Sequence, residues 1–281
     1  MTDPGAASAR VLPFFLPAAQ GARLCLYHAP APGQPCHGGM VFVAPFAEEM
    51  NRSRRMAALQ AAAMARAGIG VLIIDLYGCG DSAGELADAQ WSLWHDDVSL
   101  ALDWLRERLQ APVGLLGVRL GALLALDVAR TRTDDVGALL FCNPVLDGQA
   151  YMTQFLRLRL AAGLLSAHES GAPTSIQEMR AMLQEGELLE VAGYELSGAL
   201  LAAIDGLHAR VHLPVGVAVH WLEVVRDANA PLSPAIDKVA QAWSLTPQVV
   251  EGPAFWSTPE VSTCPALIEL ATSLALSSLR T

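Results

Sequence analysis

Residues 117–121 read Gly117-Val118-Arg119-Leu120-Gly121, and this stretch decides the fold. Ahead of it, Val113–Gly117 is a continuous apolar run, the pattern of a strand buried on both faces. Behind it, Arg119–Arg130 carries a helical pattern. Two glycines four residues apart at a strand-to-helix junction mark a tight turn with closely packed backbones.

Working outward, the same rhythm recurs. Gly39–Val43 is an apolar run ending in Ala44-Pro45-Phe46. Asn51 or Ser53 is placed to cap a helix running to about Ala67, with Met56, Leu59, Ala63 and Met64 facing inward. Val71–Asp75 is the next strand, followed by a glycine-rich turn, Tyr77–Gly84. Asp88 opens a helix through Gln110, with Trp94, Val98, Leu102, Leu105 and Leu109 at helical spacing. Ala138–Cys142 is a strand closed by Asn143-Pro144. Two β-like segments, Arg10–Leu16 and Arg23–Tyr27, precede all of this. Residues 147–211 break the rhythm with several helices rich in Leu, Ala and Met. It then resumes with Val215–Val224, Pro234–Trp243, Gln248–Val250 and Pro265–Leu279. Alternating strands and helices predict a mostly parallel eight-stranded sheet with helices on both faces. Residues 1–146 and 212–281 form its core. Residues 147–211, inserted after the sixth strand, are expected as a helical lid over the carboxyl ends of the strands.

Composition narrows the function classes. The chain has 281 residues, of which 53% are hydrophobic and 16% charged, with a formal net charge of −10. A large core can form, and an acidic surface argues against nucleic acid. Arg52–Arg55 and Arg157–Arg159 are interrupted basic stretches that read as solvated helix faces. The five cysteines are odd in number and lack C-x-x-C spacing, which fits a reducing compartment. His208 and His212 have helical metal-pair spacing, but the glutamate of H-E-x-x-H is missing and Pro214 ends any helix there. A chance pair is the simpler reading, and neither a metal nor a cofactor is expected. With no leader pattern and no apolar run long enough to span a bilayer, the expectation is a cytoplasmic protein without a membrane span.

The five residues at 117–121 have the frame of the nucleophile elbow G-x-S-x-G, in its proper strand–turn–helix context, with arginine at the serine position. Around it the chain resembles the α/β-hydrolase superfamily over nearly its whole length. Ala44-Pro45-Phe46-Ala47 stands where that superfamily often has a His-Gly-x-x oxyanion segment. Asp75-Leu76-Tyr77-Gly78-Cys79-Gly80-Asp81-Ser82 matches its D-x-x-G-x-G-x-S turn. More closely, the chain resembles the exosortase A system-associated hydrolase family, type 2. That likeness is carried by Ala44–Gln60, Ile74–Gly84, Gly117–Leu124, Tyr151–Ala162 and Gly252–Ser273. It implies a protein encoded with PEP-CTERM protein-sorting and exopolysaccharide genes in Gram-negative bacteria, and a protein partner from that system. The name of the family rests on fold and does not establish an activity.

Serine hydrolysis needs a hydroxyl, a histidine base and an orienting acid. Arg119 cannot be the nucleophile, because a guanidinium keeps its proton in proteins. Ala254 stands about where the histidine belongs, and no histidine follows His220. Glu223 and Asp227 are both available as the acid. Cys79 and Cys142 lie near the elbow without a histidine partner. His95 reads as an ordinary helix histidine, Ser82 as a turn residue bonding backbone, and Phe155, Leu156, Leu158 and Leu160 as core.

A cation at a helix N-terminus is disfavoured by roughly 0.3–1 kcal/mol, and burying it unpaired costs more. Arg119 therefore needs an anion. Glu48 and Glu49 are the first candidates, and Glu223 or Asp227 the next. Two readings follow. In one, Arg119 is a structural plug paired to Glu48 or Glu49, and the protein is a pseudo-hydrolase scaffold. In the other, Arg119, Leu120, Phe46, Ala47, Glu48, Glu49 and Asn143 surround a small anionic or acyl-bearing molecule. A hydrolase acting on an ester or thioester by a non-standard mechanism is the alternative to both.

Overall fold

The computed structural model describes residues 10–33, 35–165, 173, 175–209 and 211–280. Four strands are buried at every position: β3 (Gly38–Val43), β4 (Ile69–Ile74), β5 (Val113–Val118) and β6 (Ala138–Cys142). They pair in parallel, with Val43 beside Gly117 and Val118 beside Cys142. Continuous apolar runs behave this way because both faces of the sheet are covered. α1 (Glu48–Arg66) and α8 (Pro265–Leu279) pack on one face. α2 (Trp91–Leu109), α3 (Leu120–Thr131) and α7 (Pro234–Trp243) pack on the other.

With β1 (Val11–Ala18), β2 (Gly21–His28), β9 (Ala218–Val225) and β10 (Gln248–Glu251), the sheet has eight strands in the order β1-β2-β4-β3-β5-β6-β9-β10. β1 is an edge strand, antiparallel to β2 with Val11 opposite His28. Ala29 N donates to Arg10 O. This sets the even positions of β1 toward β2 and turns the backbone of Val11, Pro13, Phe15 and Pro17 to the open side.

Between β6 and β9 lies the insertion: α4 (Gly148–Leu165), α5 (Ile176–Gln184), β7 (Leu189–Val191), β8 (Tyr194–Leu196) and α6 (Gly198–Asp205). It leaves and re-enters the core through one neck. There Gly148 N donates to Leu207 O at 2.9 Å and Ala209 N to Leu146 O at 3.0 Å.

Several local expectations are corrected. The insertion is not purely helical, because β7 and β8 form an antiparallel hairpin. Its turn residues Ala192 (φ 52°) and Gly193 (φ 84°) suit a tight hairpin turn, but three-residue strands leave almost no period to read. α1 starts at Glu48, ahead of both Asn51 and Ser53, with Ala47 at its N-cap. Met56 and Met64 are buried as expected and Ser53 is buried, donating to Glu49 O, while Leu59 is 40% exposed, so the inward face is shifted in part from the expected one. Asp88 belongs to a short 3-10 turn, and α2 opens at Trp91. β9 begins after Val215, which is exposed beside a turn at Gly216 (φ 81°). His208 lies in an isolated bridge with Asp147, so the His208–His212 spacing is not helical. No helix among the described residues is long and apolar enough to cross a membrane.

Candidate functional site

The elbow is built by its glycines. A Cβ on Gly121 would run into the backbone carbonyls of Val43 and Ala44, and one on Gly117 into the backbone of Ala122. Strand β5, helix α3 and the end of β3 therefore meet closely enough only with glycine at both places. Between them Arg119 takes φ 56°, ψ −120°, a conformation that L-residues rarely adopt. Its carbonyl accepts from Ala122 N and Val145 N, and its amide donates to Cys142 O.

The guanidinium lies across the top of the sheet. Nε donates to Glu49 Oε1 at 3.3 Å, and Nη1 to Asn143 O at 3.1 Å. Its carbon sits 5.3 Å from the Trp256 ring centre and 5.8 Å from that of Tyr151, within cation–π range. Nη2 has no acceptor among the described residues. The pair is mostly buried, with 20% of the Arg119 side chain and 12% of the Glu49 side chain exposed. Burial pushes the Glu49 carboxyl up, against the opposing pull of Arg119 and of the Tyr151 hydroxyl. That hydroxyl donates to Glu49 Oε2 at 3.1 Å. Glu48 lies next to the pair without bonding Arg119. Its Oε2 is buried with no partner, and burial raises this carboxyl too.

Beyond Arg119 the network continues into β9. Asn143 (φ 44°) follows β6, and its side chain locks onto that neighbour. Nδ2 donates to Glu223 Oε2 at 2.7 Å and to Val224 O, and Oδ1 accepts from Val224 N. Trp221 Nε1 donates to Glu223 Oε1 at 2.6 Å. Burial pushes Glu223 up to about 7, while Trp221 and Arg119 pull the other way. Of the two candidate acids, Glu223 alone enters the network, from within its strand. Asp227 is exposed in the following turn and accepts from Asn229 N. Ala254 lies in the loop after β10, where its carbonyl accepts from Ser257 N and Thr258 N.

Beside the elbow is a narrow cavity of about 20 Å³, lined by Pro45, Phe46, Leu76, Trp91, Trp94 and Leu120 among others. The room is that of about one water, but the walls are apolar. The amides of Phe46 and Leu120 have no acceptor among the described residues. These are the two positions that supply an oxyanion hole in the elbow geometry. Ala47, next along, is buried in the α1 N-cap. Burial disfavours the thiolate form of the nearby thiols. Burial pushes Cys79 up to about 12 and Cys142 higher still. His95 lies on α2 within 2.9 Å of Thr131 Oγ1, and Ser82 Oγ donates to Asp75 O and accepts from Leu24 N.

Sequence reading did not single out Tyr151, Trp221 and Trp256 for this site. Their signal is indirect: a part-buried guanidinium and two buried carboxylates need aromatic faces and N–H or O–H donors, but no spacing rule says which aromatics supply them.

An elbow on β5, an α/β sheet of this order and an insertion after β6 define an α/β hydrolase fold. The model of the serine aminopeptidase, S33, family matches residues 34–187, more than half of the chain. The chain belongs to that family. No curated protein matches it in sequence. Among solved structures it is similar to Est1E from Butyrivibrio proteoclasticus with bound ferulic acid. There the TM-score is 0.66 at 16% identity, over 95% of this chain and 100% of that one. A putative hydrolase from Agrobacterium vitis S4 gives a TM-score of 0.61 at 16% identity, over 97% and 99% of the two chains. A thermostable carboxyl esterase from Bacillus coagulans in complex with glycerol gives 0.62 at 13% identity, over 96% and 99%. At such identities the likeness is one of fold.

Proposed function

We propose that this hydrolase-fold chain is a pseudo-hydrolase, a scaffold or small-molecule binder in a cytoplasmic part of an exosortase and exopolysaccharide system. The observation that carries this is the ion pair between Arg119 and Glu49 at the nucleophile position. The guanidinium fills the place of the serine, and Ala254 leaves no imidazole to serve as base. Removing any member of such a triad costs several orders of magnitude in rate. The remaining acid, Glu223, is engaged by Asn143 and Trp221 and has no histidine to orient. The system assignment is supported by the five sequence stretches quoted above.

The insertion, residues 147–211, acts as the lid in this reading, and a protein of the same system is the expected partner. One observation keeps a ligand in view. Leu120 and Phe46 line the apolar cavity and have amides without acceptors among the described residues, an arrangement suited to the carbonyl of a small acyl-bearing molecule or to an anion.

The test is hydrolysis of short acyl esters and thioesters by the wild type, by Arg119→Ala and by the double variant Arg119→Ser, Ala254→His. The expected result is no turnover above background for the first two and a trace for the third. Robust wild-type turnover would overturn the proposal and favour a hydrolase of non-standard mechanism.

A further inference from the structure

The insertion is joined to the core by a neck and meets it again on α1, beside the neck at Tyr151 and farther along the chain at Tyr194. The neck is the pairing of Leu146–Gly148 with Leu207–Ala209. A unit attached in this way can swing about its neck unless contacts with the core hold it. Two polar contacts between insertion and core land on the first turns of α1. Tyr151 OH donates to Glu49 Oε2 at 3.1 Å, and Asn51 Nδ2 donates to Tyr194 OH at 2.7 Å. The apolar contact is broader: Phe46 meets Phe155 with ring centres 5.0 Å apart, and buried residues of α4, α5, β7, β8 and α6 share one cluster with the core.

Arg119 touches two parts of this arrangement, the chain entering the neck and the Glu49–Tyr151 contact. Its carbonyl accepts from Val145 N, just before the neck, and its Nη1 donates to Asn143 O. Nε holds Glu49, which takes the Tyr151 hydroxyl on its other oxygen, and the guanidinium also lies against the Tyr151 ring. A buried carboxylate with a cation on one oxygen is oriented to accept on the other. Remove the cation, and Glu49 is left desolvated beside Glu48, with no charge to fix it.

We propose that Arg119 is the latch of the lid: the residue at the nucleophile position fastens the insertion to the core through Glu49 and Tyr151. This rests on the reading of Arg119 as a plug, and adds that the plug ties the first turn of α4 to α1. Serine at the same place reaches neither Glu49 nor Tyr151 in this way, so the replacement exchanges a reactive group for a fastener.

Hydrogen exchange followed by mass spectrometry tests it on the full chain, in the wild type and in Arg119→Met, Tyr151→Phe and Asn51→Ala. Both latch variants are expected to speed exchange in α4 and β7–β8 by about tenfold, the effect of losing one charge-assisted bond, with β3 and β5 unchanged. Asn51→Ala, which removes an exposed contact, is expected to give a smaller change. If Arg119→Met fails to fold, Tyr151→Phe removes one hydroxyl only and still reads the latch. Unchanged exchange in α4 for Tyr151→Phe would overturn the proposal, as would a rise spread evenly over lid and core strands. The readout is independent of turnover, so the latch can fail while the pseudo-hydrolase reading stands, and the reverse.

Discussion

Arg119 and Ala47 share one backbone conformation, φ 56°, ψ −120° and φ 52°, ψ −124°, at the heads of helices on opposite faces of the sheet. One is the elbow after β5 and the other the bend after β3. Non-glycine residues held here carry strain on the order of 1–3 kcal/mol each. The geometry that presents a nucleophile and an oxyanion hole thus persists where the serine does not.

Ala47 gives the direct measure of that strain. Replacement by glycine loses a buried methyl but relieves the backbone, so Ala47→Gly should fall within about 1 kcal/mol of the wild type. A β-branched residue adds to the strain, and Ala47→Val should cost about 2 kcal/mol or more. Urea denaturation checks both, and equal losses for the two variants would contradict the strain.

The Arg119–Glu49 pair should behave as a coupled unit. Arg119→Ala strands a buried carboxylate and should destabilise by about 2–4 kcal/mol. Adding Glu49→Gln removes the stranded charge, so the double variant should recover about 1 kcal/mol of that loss. A double-mutant cycle by equilibrium unfolding measures it, and strictly additive losses would mean that the pair is not coupled.

Legibility differed sharply between the fold and this site. Gly117 and Gly121 declare the elbow because backbone crowding leaves no other choice there, and the apolar runs of β3 to β6 declare a doubly covered sheet. The arginine in the elbow was readable from the sequence alone, and so was the expectation, now part of the proposal, that Ala254 stands where a histidine would. The counter-ion was narrowed to four carboxylates, but choosing Glu49 required the start of α1, which Ala47 sets through a backbone conformation that no side-chain cap announces. Asp227 looked equivalent to Glu223 until the β9 register turned one inward and left the other in a surface turn. Tyr151 and Trp256 come to Arg119 from the insertion and from the loop after β10, through contacts more than thirty residues apart in sequence.

Glu223 should make stability depend on pH near neutrality. Its carboxyl is raised from 4.5 to about 7, so the folded chain holds the proton more tightly than the unfolded chain does. That contribution is complete below the ordinary glutamate range and is lost as pH rises through about 7. The loss between acid and pH 8 amounts to about 3 kcal/mol from this one group. Glu223→Gln should flatten that portion of the profile in urea titrations at fixed pH, and an unchanged slope would assign it elsewhere.

Thiol chemistry offers a check on burial. Cys36 is exposed and Cys79 partly so, whereas Cys25, Cys142 and Cys264 are buried; burial pushes the Cys79 thiol up to about 12. A colorimetric disulfide reagent should find one fast thiol in the native chain and the remainder only on unfolding. A second fast thiol that Cys79→Ala abolishes would show that the turn beside the cavity opens.

The prolines of β1 carry a consequence for how these molecules meet one another. Pro13 and Pro17 fall at the positions whose backbone faces outward, so every second residue on that rim has no amide hydrogen to offer. A strand from another copy would find an interrupted row of donors there, and the opposite rim, β10, is only four residues long. Crowded molecules of this chain are therefore guarded against joining sheet to sheet into fibrils.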